Sequence, residues 1–115
     1  MTTYTETQTV THALRRAGLL GDDETPSSEQ LDLATKTYTS RLSSLQVRGL
    51  NMWGWTPDTV PQELFDPLAD YMAMFLIPTA GGPRPSDADV MAQEGTLRAI
   101  CAAMPSYDVA AGQYF

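Results

Sequence analysis

Val10-Thr11-His12-Ala13-Leu14-Arg15-Arg16-Ala17-Gly18-Leu19-Leu20, the run from Ser27 to Gly49, and then Asn51-Met52-Trp53-Gly54-Trp55 together decide the fold. Val10, Ala13, Leu14 and Ala17 fall at i, i+3, i+4 and i+7, the apolar stripe of a helix over roughly 7–17. Gly18 can adopt the left-handed conformation that closes such a helix, which would fold Leu19 and Leu20 back onto the core. Gly21 to Pro26 reads as an exposed acidic loop. Ser27 and Gln30 then have the spacing of a capping box, opening a second helix. Leu31, Ala34, Tyr38, Leu42 and Leu45 mark its buried face. Arg48 near its end suits the helix dipole, and Gly49 supplies the stop. With about 20 residues at 1.5 Å each it is roughly 30 Å long, the expected spine of the domain.

Outward from this stretch, residues 1–6 are polar and Thr-rich, a flexible, extended N-terminal segment. Leu50 to Val60 carries both tryptophans and the turn signal Thr56-Pro57-Asp58, so a loop or short hairpin is expected there. Leu64, Leu68, Tyr71, Met72, Phe75 and Leu76 give a third helix over about 62–77 a wide apolar face. Pro67 interrupts its beginning. The pattern therefore predicts that Asp66 caps the true helix, with Pro67 at its first position and Pro61 to Phe65 as a preliminary turn. Gly81-Gly82-Pro83-Arg84-Pro85 is too stiff and too poor in donors to be helical. A fourth helix begins near Ser86 or Asp87, carries Val90, Leu97, Ile100, Cys101 and Met104 on one side, and stops at Pro105. The expectation is an all-α, four-helix domain over 7–104 with a long second helix. An extended tail, 105–115, follows and carries Tyr107, Tyr114 and Phe115.

A chain of 115 residues forms one domain, able to bury roughly two thirds of its unfolded surface. Its 43% hydrophobic content is ordinary for a globular protein and argues against wholesale disorder. No apolar run approaches the roughly 20 residues of a membrane span. The opening Met1-Thr2-Thr3-Tyr4-Thr5-Glu6 has neither a basic nor an apolar signal region. Fourteen acidic residues against seven basic give a net charge of −7, and Asp22, Asp23, Glu24, Glu29 and Asp32 lie close together. Tight nucleic-acid binders cluster Lys and Arg on phosphates, whereas only Arg15 and Arg16 are adjacent here. A protein that lies near DNA without gripping it remains compatible with this charge, since like charge repels a duplex and lets it slide.

Catalytic chemistry finds little support. His12 is the single histidine, without companions at metal-ligand spacing, and its neighbours Thr11 and Arg15 suggest a solvated face. Asp22-Asp23-Glu24 lacks the alternating ligands and internal glycine of a calcium loop, so it reads as a solubilising loop. Gly81-Gly82-Pro83-Arg84 lacks the Lys-Ser or Lys-Thr of a phosphate cradle. Cys101 reads as a small hydrophobe inside the fourth helix. No Gly-x-Ser-x-Gly elbow occurs. We therefore expect no enzyme activity, no cofactor and no bound metal. Trp53 and Trp55 have two readings: they cap the end of the bundle as core, or they face a neighbouring subunit from one side of an extended segment. The aromatic tail either packs back on its own bundle or docks into a neighbour as an anchor.

With those segments placed, the chain resembles the head–tail adaptor proteins of tailed bacteriophages, also called connector, head-completion or packaged-DNA stabilisation proteins. The likeness is carried by Ala13-Leu14-Arg15-Arg16-Ala17-Gly18-Leu19, by Leu42-Ser43-Ser44-Leu45-Gln46-Val47-Arg48-Gly49 and by Trp53-Gly54-Trp55. Val60-Pro61-Gln62-Glu63-Leu64, Pro67-Leu68-Ala69-Asp70-Tyr71-Met72-Ala73 and the helix around Ala92 to Ala103 continue it. The Pro-rich loop after the third helix departs from the family pattern. The resemblance implies a virion neck subunit that assembles, with other copies of itself, into a twelvefold ring under the portal protein ring. Such a ring extends the DNA channel, helps retain the genome and presents a platform for the next tail component, while packaged DNA passes without sequence-specific binding. It implies a portal-binding role for Tyr107, Tyr114 and Phe115. The alternative is a small acidic helical protein-binding or regulatory module with no portal partner.

Overall fold

The structure, a computed structural model, describes residues 3–49 and 58–103. Four helices account for most of it: α1 (Glu6–Arg16), α2 (Ser28–Val47), α3 (Gln62–Leu76) and α4 (Asp87–Ala103). Two short strands, β1 (Thr3–Tyr4) and β2 (Val60–Pro61), pair antiparallel, with Thr3 opposite Pro61 and Tyr4 opposite Val60. The domain is all-α apart from this pair.

Local chemistry sets the helix ends. Thr5 caps α1: its hydroxyl accepts from the Gln8 amide at 3.2 Å, and its own amide donates to Gln8 Oε1 at 2.8 Å. Asp58, just ahead of β2, accepts from the Glu6 amide at 2.9 Å, so a residue 52 positions away completes the same cap. Gly18, at φ +78°, closes the helix. The Gly18 amide donates to Arg15 O and the Leu19 amide to Leu14 O, each at 3.0 Å, and Leu20 turns into the core. Ser27 and Gln30 form the expected capping box on α2, and Gln30 Nε2 also donates to Leu19 O at 3.2 Å. Gly49, at φ +87°, ends that helix. Ser86 caps α4 through the Asp89 amide at 3.1 Å.

The core forms around α3, which buries Leu64, Leu68, Ala69, Tyr71, Met72, Ala73 and Leu76. Val10, Ala13 and Leu14 of α1 pack against it, as do Tyr38, Leu42 and Leu45 of α2 and Leu97 of α4. Leu31, expected on the buried face of α2, packs only at its margin. Val90, Ile100 and Cys101 face the core from α4 but are half-buried.

The start of α3 corrects the sequence expectation. The helix is continuous from Gln62, and Pro67 lies inside it rather than at its first position. An interior proline costs about 3 kcal/mol in a helix. Leu64 and Leu68 flank it and are fully buried, each contributing about 1.5–3 kcal/mol. Together they outweigh the proline, and the Pro67 carbonyl gains a bond from Gln93 Nε2 at 3.0 Å. Apolar periodicity thus prevails over the local breaker. After α3 the chain tightens into a 3-10 turn over Ile77–Ala80, closed by Gly81 at φ +90°. Gly82 lies against Ile77 so closely that no Cβ would fit.

Replacing Leu68 with Ala should lower the free energy of unfolding by about 2–5 kcal/mol, because this fully buried side chain lies within the core and its loss leaves a cavity. Urea denaturation followed by circular dichroism measures this. A loss below about 1 kcal/mol would mean that α3 is not the packing centre.

Candidate functional site

Three helices meet at one carboxylate. Glu94 projects from α4 and accepts two bonds from the Arg48 guanidinium, Nη1 to Oε1 and Nη2 to Oε2, both at 2.8 Å. The Tyr71 hydroxyl on α3 donates to Oε2 at 2.7 Å. The Glu94 side chain is 12% exposed and that of Arg48 is 48% exposed, so the fork closes over the carboxylate from the solvent side. The Arg48 bonds hold the Glu94 carboxyl below the usual range against the opposing effect of burial, and the Tyr71 bond adds to this. Burial, then the bond to Glu94, pushes the Tyr71 hydroxyl up to about 12.

A second cluster joins β1, α1 and α3. The Phe65 ring lies between Tyr4, at 3.9 Å and 17°, and His12, at 4.5 Å and 8°. His12 Nε2 is 2.7 Å from Asp66 Oδ1, close enough to donate to it, while Arg16 reaches Asp66 at 3.2 Å and Asp70 at 3.5 Å. The Asp66 carboxyl is held low, first by the His12 bond and then by Arg16. The expectation of a solvated His12 is therefore corrected: the ring is three-quarters covered and stacked. Its aromatic partner comes from α3, 53 positions away, so no local pattern announces it. The recess beside it, about 350 Å³, is lined by Tyr4, Thr7, Gln8, Thr11, His12, Arg15 and Phe65. With His12 Nε2 and Arg16 both bonded to Asp66, the cluster fastens two helices together.

The acidic loop is shaped by Glu24, whose Oε1 accepts from the Gly21 amide at 2.6 Å and whose carbonyl accepts from Arg15 Nη2 at 3.2 Å. Asp22 and Asp23 stand exposed on it. Among the described residues no group of three or more His, Cys, Asp or Glu side chains is placed to hold a metal ion. Nor is any helix among them long and apolar enough to cross a membrane.

The outward side of α4 is unusually smooth. Ala88, Met91, Ala92, Gly95, Ala99 and Ala102 all face solvent there, with Met91 71% exposed. At the far corner Arg41 of α2 lies 4.4 Å over the Phe75 ring. It opens into a cleft of about 460 Å³ shared with Pro78, Arg84, Pro85, Asp87 and Val90.

Trp53 and Trp55, read as core or subunit interface, and Tyr107, Tyr114 and Phe115, read as portal-binding, lie outside the described residues. So do the expected Trp-bearing loop or hairpin, Met104 and the C-terminal tail. The sequence reading missed the Arg48–Glu94–Tyr71 clamp, although a signal existed. Glu94 falls between Val90 and Leu97 on the inner side of α4, and an acid at such a position needs partners. Comparison with known proteins found no match among family models, curated proteins or solved structures.

Glu94→Gln should destabilise the domain by about 1–2 kcal/mol at neutral pH, a figure discounted for the half-exposed Arg48. Because the folded-state pKa of Glu94 is depressed, its contribution is complete above its unfolded value of about 4.3 and disappears as pH falls through the folded one. Urea titrations of both proteins should therefore converge under acid conditions. A difference independent of pH would assign the loss to packing.

Proposed function

We propose that the chain is a structural subunit of a phage head–tail adaptor ring that docks under the portal protein. The observation that carries this reading is the order of elements. A short helix of 11 residues, a long one of 20, one of 15 and a closing one of 17 come in the order that the resemblance implies, with Trp53-Gly54-Trp55 in the sequence between the second and third, although Pro67 lies inside the third helix instead of leading it. The net charge of −7 supports it, because a ring of such subunits would surround DNA without holding it. The exposed, small-residue side of α4 also suits a protein that meets neighbours closely.

In this reading twelve copies match the portal, extend its channel and help retain packaged DNA, and their lower surface receives the next tail component. Tyr107, Tyr114 and Phe115 anchor each copy on the portal. Each contact is weak, and simultaneous engagement around the ring makes attachment firm. The protein then resides in the virion neck after synthesis in the bacterial host.

Native mass spectrometry of the chain, alone and mixed with the portal ring of the same virion, tests the proposal. The portal should gain a full ring of copies. A stable small oligomer that ignores the portal would overturn it in favour of a protein-binding module. Deleting residues 106–115 should leave helicity and melting intact but abolish portal docking; undiminished docking would remove the anchor role from the tail. Replacing Trp53 and Trp55 together with Ala separates their two readings. A large fall in melting temperature marks them as core, and retained stability with lost assembly marks them as interface.

A further inference from the structure

The seven basic side chains divide unequally. Lys36 pairs with Asp32, Arg16 with Asp66 and Asp70, and Arg48 with Glu94, while Arg15 bonds the Glu24 carbonyl. Arg41, Arg84 and Arg98 have no carboxylate within ion-pair distance among the described residues. Two of these three line one cleft, the corner where Arg41 lies over Phe75. Stacking fixes the Arg41 guanidinium in advance, so little side-chain freedom remains to be lost on binding. Pro78, Pro85 and Val90 supply rigid apolar walls. Among the described residues Asp87 is the sole acid in the lining, and it pairs with neither guanidinium. In a chain of net charge −7 this is an unusual place: two unpaired cations on an apolar floor, with room for a few side chains.

We propose that this cleft receives the Asp22-Asp23 loop of a second copy of the chain. The two carboxylates are exposed and make no hydrogen bond among the described residues. The loop that bears them is pre-shaped by the Gly21–Glu24 bonds and by Arg15. A single copy cannot satisfy itself. The loop precedes Ser28 at the start of α2, and Arg41 lies thirteen residues along that helix, about 20 Å away at 1.5 Å per residue. The two surfaces are different, so the contact is head to tail, which generates a ring when the rotation closes and a filament when it does not. This deepens the ring reading and rests on it for closure.

Charge exchange tests the contact in the full-length chain. Arg84→Glu and the pair Asp22→Lys, Asp23→Lys alter exposed side chains only, so melting curves should match the wild type. Each variant alone should self-associate about tenfold more weakly in sedimentation velocity, and wild-type association should weaken in high salt, where charge attraction is screened. An equimolar mixture of the two variants should assemble again. Every junction is then either native or charge-reversed, so the copies alternate, and native mass spectrometry would count them in equal numbers. Arg84→Glu associating like the wild type, a wild type that stays monomeric, or variants that remain apart when mixed would each overturn the proposal. If Arg84→Glu still loads onto the portal ring as a full complement, this contact falls and the adaptor reading stands. If the mixed variants assemble but never bind a portal, the contact stands and the adaptor reading falls.

Discussion

The burial of α3 on several sides is the constraint from which the rest of the domain follows. A helix with Leu64, Leu68, Tyr71, Met72 and Leu76 all removed from solvent needs cover from more than one neighbour. α1, α2 and α4 supply it, each amphipathic and each offering one stripe. The same demand keeps the helix continuous through Pro67. It also explains why the polar contacts between helices lie at the margins of α3. Asp66 and Phe65 meet α1 near its start, and Tyr71 meets Glu94 along its length. Buried apolar area sets the packing, and a few charged bonds fix its register.

What could be read from the sequence was whatever is decided within one or two turns. The Ser27–Gln30 box, the closing roles of Gly18 and Gly49, and the start of α4 at Ser86 are local devices, and the structure contains all of them. The core stripes of α1 and α3 were equally legible because their spacing is helical. Long-range features were not. Thr3 and Tyr4 gain a strand partner 56 to 58 positions away, and Asp58 reaches back to cap α1. His12 looked solvated because its sequence neighbours are polar, whereas its stacking partner comes from another helix. Pro67 misled for the opposite reason: a strong local signal yielded to the burial on either side of it. The residues assigned to candidate sites, Trp53, Trp55, Tyr107, Tyr114 and Phe115, rest on sequence and resemblance, being outside the described residues.

Charge is distributed with the same economy. Three of the seven cations, Arg16, Lys36 and Arg48, are bound to acids of their own chain, and many of the excess acids stand on exposed loops and helix faces. Such a surface discourages unspecific contact between copies.

The fourth helix buries only Leu97 completely and is latched through Glu94. It should therefore open locally at a lower free energy than the rest of the bundle. Cys101 is half-buried on its inner side, and burial pushes the thiol up to about 11, so at neutral pH almost none of it is the reactive thiolate. Alkylation of this single thiol thus becomes a slow clock. Its rate reports how often α4 lifts from the bundle, and its slowing would register the moment another surface holds that helix in place.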